Sequence, residues 1–328
     1  MAAAVSDVLG APYTCERIVL PDDDEGTVVA SLVHRPADPA PDSSEETARG
    51  AVLHVHGFAD YFFQTTLSDF WCARGYDFYA LDLRKYGRSL LAHQTPNYTA
   101  DLAEYFPELD EAWHRITARD GHGHVVLSAH STGGLTVPLW VEERRDQLGE
   151  LAGLVLNSPW FDLAGPAPLR SAPVNLAVEQ LGRRRPDAEI PRNVSGLYAR
   201  SLHVEHDGEF DFDLAWKPLT SWPVRAGWLR AVRAGQARLH AGLHVPCPVL
   251  VLTSEASSHP KEMGELVHST DVVLDVEQIW QWSPSVARHV TVVALPGARH
   301  DVYLSRPPVR GRAFEVIDTW RTAWLPRP

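Results

Sequence analysis

Seven short β-rich runs recur along the chain: TVVASLVHR (27–35), AVLHVHG (51–57), DFYALDL (77–83), HVVLSAHS (124–131), LAGLVLNS (151–158), PVLVLTSE (248–255) and VTVVALPG (290–297). Most end in a small or polar residue, and runs this apolar are what strands covered on both faces look like. Helical patterns separate several of them. One places Leu102, Tyr105, Phe106, Leu109, Trp113 and Ile116 at helical spacing, with Pro107 expected to kink or restart the helix. Alternating strands and helices predict an α/β fold with a mostly parallel sheet covered by helices on both faces. The polar, proline-rich run PADPAPDSSEET (36–47) reads as a surface loop.

The rhythm breaks once. Residues 159–246 hold no convincing buried strand, but carry Trp160, Trp216, Trp222 and Trp228, several prolines and acidic clusters such as EHDGEFDFD (205–213). An irregular, partly helical insert between two strands of one sheet is most simply a cap over the strand ends. The expected organisation is a core from 1–158, a cap from 159–246 and the rest of the core from 247–328.

Composition bounds the function. A chain of 328 residues, 45% of them hydrophobic, can build one large core and an accessory lobe. A net charge of −12, with no basic stripe against it, argues against nucleic acid and anionic membrane surfaces as partners. The longest basic run, RRR at 183–185, is followed by Asp187 and Glu189. Three scattered cysteines (Cys15, Cys72, Cys247) fit a reducing compartment better than a disulfide framework. MAAAVSDVLG lacks the regions of a signal peptide, and no run approaches the roughly 18 apolar residues of a membrane span. The expectation is a soluble, cytoplasmic protein, in which the sequon-like Asn97 and Asn193 carry little weight. HVEH (203–206) beside Asp207, Asp211 and Asp213, and HGH (122–124), lack the spacing of a structural zinc site, so no metal is expected. No dinucleotide fingerprint is present, and no cofactor is expected.

LSAHSTGGL (127–135) sets a serine between a strand and a helix. A turn this tight forces Ser131 into a strained conformation and lifts its Oγ out of the sheet's carboxyl edge. Small neighbours are required, and Ala129 and Gly133 supply them, while Gly134 lets the helix start close to the sheet. A plain serine N-cap is the alternative reading. A nucleophilic serine needs a histidine to take its proton and a carboxylate to orient that histidine. His300, in the glycine-containing loop PGARHDVYLS after the last run, is the candidate base. His54 and His56 precede the serine and fall outside the chain order serine, acid, histidine. For the acid, Asp271 is favoured, ahead of Asp275, which can be a first-turn helix carboxylate, and of Glu255. The oxyanion donors would be the backbone N–H groups of Thr132 and of Phe58, in the turn HVHGFAD permitted by Gly57. Tyr61, Phe62 and Phe63 are candidate pocket walls. Trp216, Trp222 and Trp228 either line an apolar pocket or hold the cap together.

Taken in order, HGFAD (56–60), DLRKYGRS (82–89), AHSTGG (129–134), DVVLD (271–275) and GARHD (297–301) resemble the α/β-hydrolase family, and within it the monoacylglycerol lipase and serine-aminopeptidase-like (lysophospholipase-like) group. The resemblance covers the chain except the cap. It implies Ser131 as nucleophile, Asp271 as acid, His300 as base, and Phe58 and Thr132 as oxyanion donors. DLRKYGRS is similar to a D-x-R-G-x-G-x-S turn with Lys85 in place of a glycine, and is read as architectural, Arg84 or Arg88 tying loops together. Two departures stand out: Ala129 replaces the first elbow glycine, and the stretch from Glu255 to Asp271 is longer than the family's usual acid loop. The expected function is cofactor-independent cleavage of an ester of a hydrophobic small molecule or lipid through an acyl-enzyme. The alternatives are amide or peptide cleavage, and a slow-turnover ligand receptor on the same fold.

Overall fold

The computed structural model describes residues 4–39, 48–191 and 195–325. The expected surface loop therefore lies, from residue 40 on, outside the described residues, as does Asn193. Among the described residues one sheet of nine strands forms: β1 (Val5–Ser6), β2 (Thr14–Asp23), β3 (Gly26–Arg35), β4 (Gly50–Val55), β5 (Tyr76–Asp82), β6 (Val125–His130), β7 (Leu151–Asn157), β8 (Val249–Ser254) and β9 (Val290–Leu295). Their spatial order is β1-β2-β3-β5-β4-β6-β7-β8-β9. β1 to β3 are joined antiparallel, and β3 pairs antiparallel with β5. From β5 to β9 every pairing is parallel. All seven sequence runs are strands; β1 and β2 were not foreseen.

The helices are α1 (Thr65–Cys72), α2 (Phe106–His114), α3 (Gly133–Arg144), α4 (Ala172–Arg184), α5 (Leu197–Leu202), α6 (Ala226–His240), α7 (Glu265–Ser269), α8 (Val276–Trp282) and α9 (Pro307–Trp324). Alternation along each parallel strand feeds two cores. Leu53, Leu127, Leu154 and Val251 face α2, α3, α6 and α8. Val52, Val126, Val155 and Leu250 face α1 and α9, through Leu67, Trp71, Ile317 and Trp320. Pro107 does restart its helix: a 3₁₀ turn covers Leu102–Tyr105, and α2 begins at Phe106 with the proline in its first turn, where a missing N–H costs nothing.

Among its described residues, the insert between β7 and β8 carries α4, α5 and α6 and no strand of the sheet. Its last helix belongs to the main core, because Trp228, Val232 and Leu239 of α6 are buried in the cluster that holds α3. Both arginines of DLRKYGRS tie loops. Arg84 forks onto Glu108, with Nη2 donating to Oε2 at 2.7 Å. Arg88 bridges Asp7 and Asp82 and also donates to the Phe62 carbonyl. Lys85, standing where the motif has glycine, adopts φ 65° and is held by Asp23 and Glu25. Among the described residues no helix is long and apolar enough to cross a membrane, and no group of three or more His, Cys, Asp or Glu side chains is arranged to hold a metal ion.

Candidate active site

β6 stops at His130, α3 starts at Gly133, and Ser131 takes the turn between them with φ 52°. That is the left-handed region, costly for a residue with a Cβ and tolerated only where surroundings fix it. Here the backbone is fixed on both sides: Ser131 N–H donates to the Asn157 carbonyl at 3.0 Å, and the Ser131 carbonyl accepts from Trp160 N–H at 2.9 Å. A Cβ at Gly133 would collide with the His56 and Val55 carbonyl oxygens, and one at Gly134 with Pro159. The two glycines are thus required by close approach, the first to the end of β4 and the second to the chain leaving β7. Ala129 is fully buried in the core.

His300, in the loop after β9, brings Nε2 to 3.1 Å from Ser131 Oγ, and its Nδ1 donates to Asp271 Oδ2 at 2.9 Å. Asp271 Oδ1 accepts from the Val273 and Leu274 N–H groups, both at 2.8 Å. With one oxygen locked by the backbone, the other is aimed at the ring, which fixes the tautomer that leaves the Nε2 lone pair facing the serine. Asp271 is wholly buried, and Ser131 and His300 nearly so. The other acid candidates lie elsewhere: Asp275 is the N-cap of α8 and accepts from Glu277 N–H, and Glu255 is exposed.

The remaining histidines near the serine have other bonds. His56 donates from Nδ1 to the Gly57 carbonyl at 2.8 Å and accepts at Nε2 from Leu83 N–H at 3.1 Å. His54 sits beneath the sheet surface with Nδ1 3.1 Å from Ser128 Oγ, and burial pushes its pKa down to about 3. His130 donates to the Asn157 carbonyl and lies against His300, ring centroids 4.8 Å apart; burial lowers its pKa too.

The turn after β4 passes directly against the serine, since a Cβ at Gly57 would come within 2.9 Å of Ser131 Cβ. Phe58 follows, its ring packed on Trp228 at 4.3 Å between centroids. Thr132 is the residue between Ser131 and the first turn of α3. The two residues expected to supply oxyanion donors therefore flank one serine, at the positive end of a helix.

The aromatic candidates separate. Tyr61 and Phe63 form a small cluster with Leu202, Phe212 and Leu304, and Trp216 packs edge-on against Tyr61 at 5.1 Å. Phe62 points the other way, fully buried against Phe78 and Tyr13 in the core that holds α1 and α9; it is not a pocket wall. The chain bends at Phe62, which turns this ring away from those of Tyr61 and Phe63. Trp228 is a core side chain, while Trp222 is half-buried and donates from Nε1 to the Trp216 carbonyl.

Sequence reasoning did not find the contacts that the insert and the core make around the site. Tyr198 of α5 lies 5.6 Å from the His300 ring, and its hydroxyl accepts from Asp301 N–H at 3.1 Å. The Asp301 carboxylate is buried and accepts from Asn157 Nδ2 and Gln64 Nε2, holding the base loop to the end of β7 and the start of α1. Lys217 Nζ donates to Asp60 Oδ1 at 2.8 Å, both side chains buried. The pair spans 157 residues and has no periodic signature; the one available cue was that Lys217 is among only three lysines in an arginine-rich chain.

The family model described as Hydrolase_4, serine aminopeptidase S33, matches residues 46–304. The fold is similar to that of a soluble variant of monoglyceride lipase from Saccharomyces cerevisiae, solved with a substrate analog, at TM-score 0.65 and 16% identity over 94% of this chain and 95% of that one. It is similar to a monoacylglycerol lipase from Paleococcus ferrophilus at TM-score 0.62 and 19% identity, over 89% and 98% of the two chains. Est1E from Butyrivibrio proteoclasticus, solved with ferulic acid bound, aligns at TM-score 0.56 and 14% identity over 94% and 98%. A search of curated proteins finds no significant match.

Proposed function

The chain belongs to the serine aminopeptidase S33 family of α/β hydrolases, and we propose that it cleaves a carboxylic ester of a hydrophobic small molecule or lipid through an acyl-enzyme. The observation that carries this reading is the relay Ser131, His300 and Asp271, with His300 within hydrogen-bond reach of both partners and the serine on a strained strand-to-helix turn. In the proposed mechanism Ser131 Oγ attacks the ester carbonyl while His300 Nε2 takes its proton. Negative charge on the carbonyl oxygen is met by the N–H groups of Phe58 and Thr132. His300 then returns the proton to the departing alkoxide, leaving the acyl group on Ser131. Water, deprotonated by His300, releases the acid and restores the serine. Asp271 orients the ring and stabilises the imidazolium, and is not itself protonated.

In this reading residues 159–246 act as a cap over the strand ends, with Trp216 of the cap packed on Tyr61 of the core. Ester cleavage is favoured over aminopeptidase action by where the cap's acids go. A substrate α-amino group would need a carboxylate facing the serine. Glu205, Asp207, Glu209 and Asp211 are instead exposed, Asp207 pairing with Arg200 and Glu209 with Arg310. The test is labelling by a fluorophosphonate followed by side-by-side turnover of p-nitrophenyl acyl esters and amino-acyl anilides. Faster anilide turnover would replace the esterase reading with a peptidase one, and no labelling would end both.

A further inference from the structure

Residues 57–60, the turn that carries the Phe58 N–H, are held from outside at every residue after Gly57. The Phe58 ring rests on Trp228 of α6. Ala59 N–H donates to Asn97 Oδ1 at 3.1 Å. Asp60 takes the Lys217 ammonium on Oδ1, while its Oδ2 faces the Gly57 N–H at 3.5 Å. Two of these three holds, Trp228 and Lys217, come from the insert.

The turn needs holding. Ala59 has φ 49°, a left-handed conformation that a residue with a Cβ adopts only when neighbours over-determine it. The next residue, Tyr61, is also tied to the insert, its hydroxyl accepting from Asp213 N–H at 2.7 Å. Lys217 lies under three aromatic rings, with Nζ 5.7 Å from the centre of Phe63 and 5.9 Å from those of Tyr198 and Phe212. These rings exclude water from the pair, so its attraction is little screened and its geometry is sharply set. Burial alone would push the Asp60 carboxyl up; the Lys217 ammonium outweighs burial and holds it below the usual carboxylate range. The Asp60 carboxyl is therefore ionised at neutral pH.

We propose that Lys217 is a positioning residue for the oxyanion turn: its buried bond to Asp60 makes the seating of the insert a condition for the Phe58 N–H to face Ser131. The inference rests on the serine-hydrolase reading and deepens it. An insert that has lost this bond leaves the strained turn free to relax, and charge developing on the substrate oxygen then loses a donor. Substrate binding, which depends on the aromatic faces, is left in place.

The test uses the full chain with Lys217→Met, Asp60→Asn and the double variant, measured with a fluorophosphonate and with p-nitrophenyl butyrate alongside thermal unfolding. Lys217→Met leaves a buried carboxylate without its cation, so its Tm falls. The double variant removes both charges and recovers much of the Tm. Positioning predicts that kcat and the fluorophosphonate rate stay down by about 10- to 100-fold in both Lys217→Met and the double variant, with KM unchanged, somewhat less than the loss of a whole oxyanion donor. If the double variant regains kcat together with Tm, the pair only stabilises the fold and the proposal is overturned. Should Lys217→Met not fold, the double variant alone decides between these results. Absence of labelling in the unaltered protein would overturn the hydrolase reading itself, whereas equal labelling of unaltered and Lys217→Met protein overturns only the positioning role.

Discussion

The Asp271 N–H donates to the Ala256 carbonyl at 2.9 Å, so a residue far along the chain stands beside the end of β8. Ser258 N–H returns a bond to the Asp271 carbonyl at 3.0 Å, and Ser257 and Asp271 pair as a short parallel bridge. The intervening stretch, with α7, is looped out from this closure. That explains why the distance in sequence from Glu255 looked too long for an acid loop: in space the loop is short.

This geometry separates two aspartates that lie close in sequence. Asp271→Asn loses the orienting charge and offers His300 the wrong hydrogen-bonding pattern, and kcat should fall about 10⁴-fold, as in the serine protease case. Asp275→Ala removes a helix N-cap and should cost about 1 kcal/mol of stability with activity retained. Ester turnover and thermal unfolding of the two variants check both statements, and a crippled Asp275→Ala with a nearly normal Asp271→Asn would reverse the assignment.

The elbow gives a prediction that couples activity to strain. Ser131→Ala and Ser131→Gly should both lose esterase activity and fluorophosphonate labelling. They should differ in stability, because alanine keeps a Cβ at φ 52° and glycine does not. Relief of about 1–3 kcal/mol of strain exceeds the roughly 0.4–1 kcal/mol that glycine gains in unfolded-chain entropy, so the glycine variant should melt higher than the alanine one. Persistent labelling in either variant would remove Ser131 from its proposed role.

What the sequence made legible follows from burial. Strands β3 to β9 showed because most are covered on both faces and read as apolar runs. β2 did not, since TCERIVLPDD at the antiparallel edge mixes buried Ile18 and Leu20 with exposed charge and a proline, and β1 is two exposed residues. The serine and the histidine stood out because an elbow and a post-strand loop impose local chemistry. Lys217 with Asp60, and Tyr198 with Asp301, meet only through the insert's path, and nothing local in either segment encodes that path. Phe62 is indistinguishable from Tyr61 and Phe63 in sequence, because only the bend of the chain at Phe62 assigns their sides.

The tryptophans divide by environment, and so should their variants. Trp228→Ala opens a cavity in the main core and should cost about 3–5 kcal/mol, lowering kcat/KM for all substrates with the loss of fold. Trp216 is half-buried against the Tyr61 cluster and Trp222 is half-buried with its Nε1 bonded to the Trp216 carbonyl, so their alanine variants should retain the fold and change discrimination by about 1–3 kcal/mol per methylene of acyl chain that loses its contact. The measurement is kcat/KM across short and long acyl esters, with Tm recorded for each variant. Equal losses for every chain length at Trp216 and Trp222 would move the specificity surface elsewhere.

Stability should fall with acidity well above the range where carboxylates titrate, and His54 supplies the reason. Its ring is fully buried and its pKa is about 3 in the folded protein, because burial penalises the charged form. Unfolded, the same ring titrates near about 6.5. Between those values the unfolded chain binds a proton that the folded one refuses, so unfolding is favoured by about 1.4 kcal/mol for each pH unit below the unfolded pKa. The contribution is complete above about pH 6.5 and shrinks steadily as pH falls toward 3. Burial also depresses the pKa of His130 and His124, and both act in the same direction. Denaturant unfolding at a series of pH values from 7.5 to about 5 should therefore show a clear loss of stability. His54→Gln, which cannot take up a proton, should flatten that slope by about one proton's worth, whatever its effect on absolute stability. An unchanged slope in this variant would mean that His54 is protonated in the folded protein and that its burial is not as described.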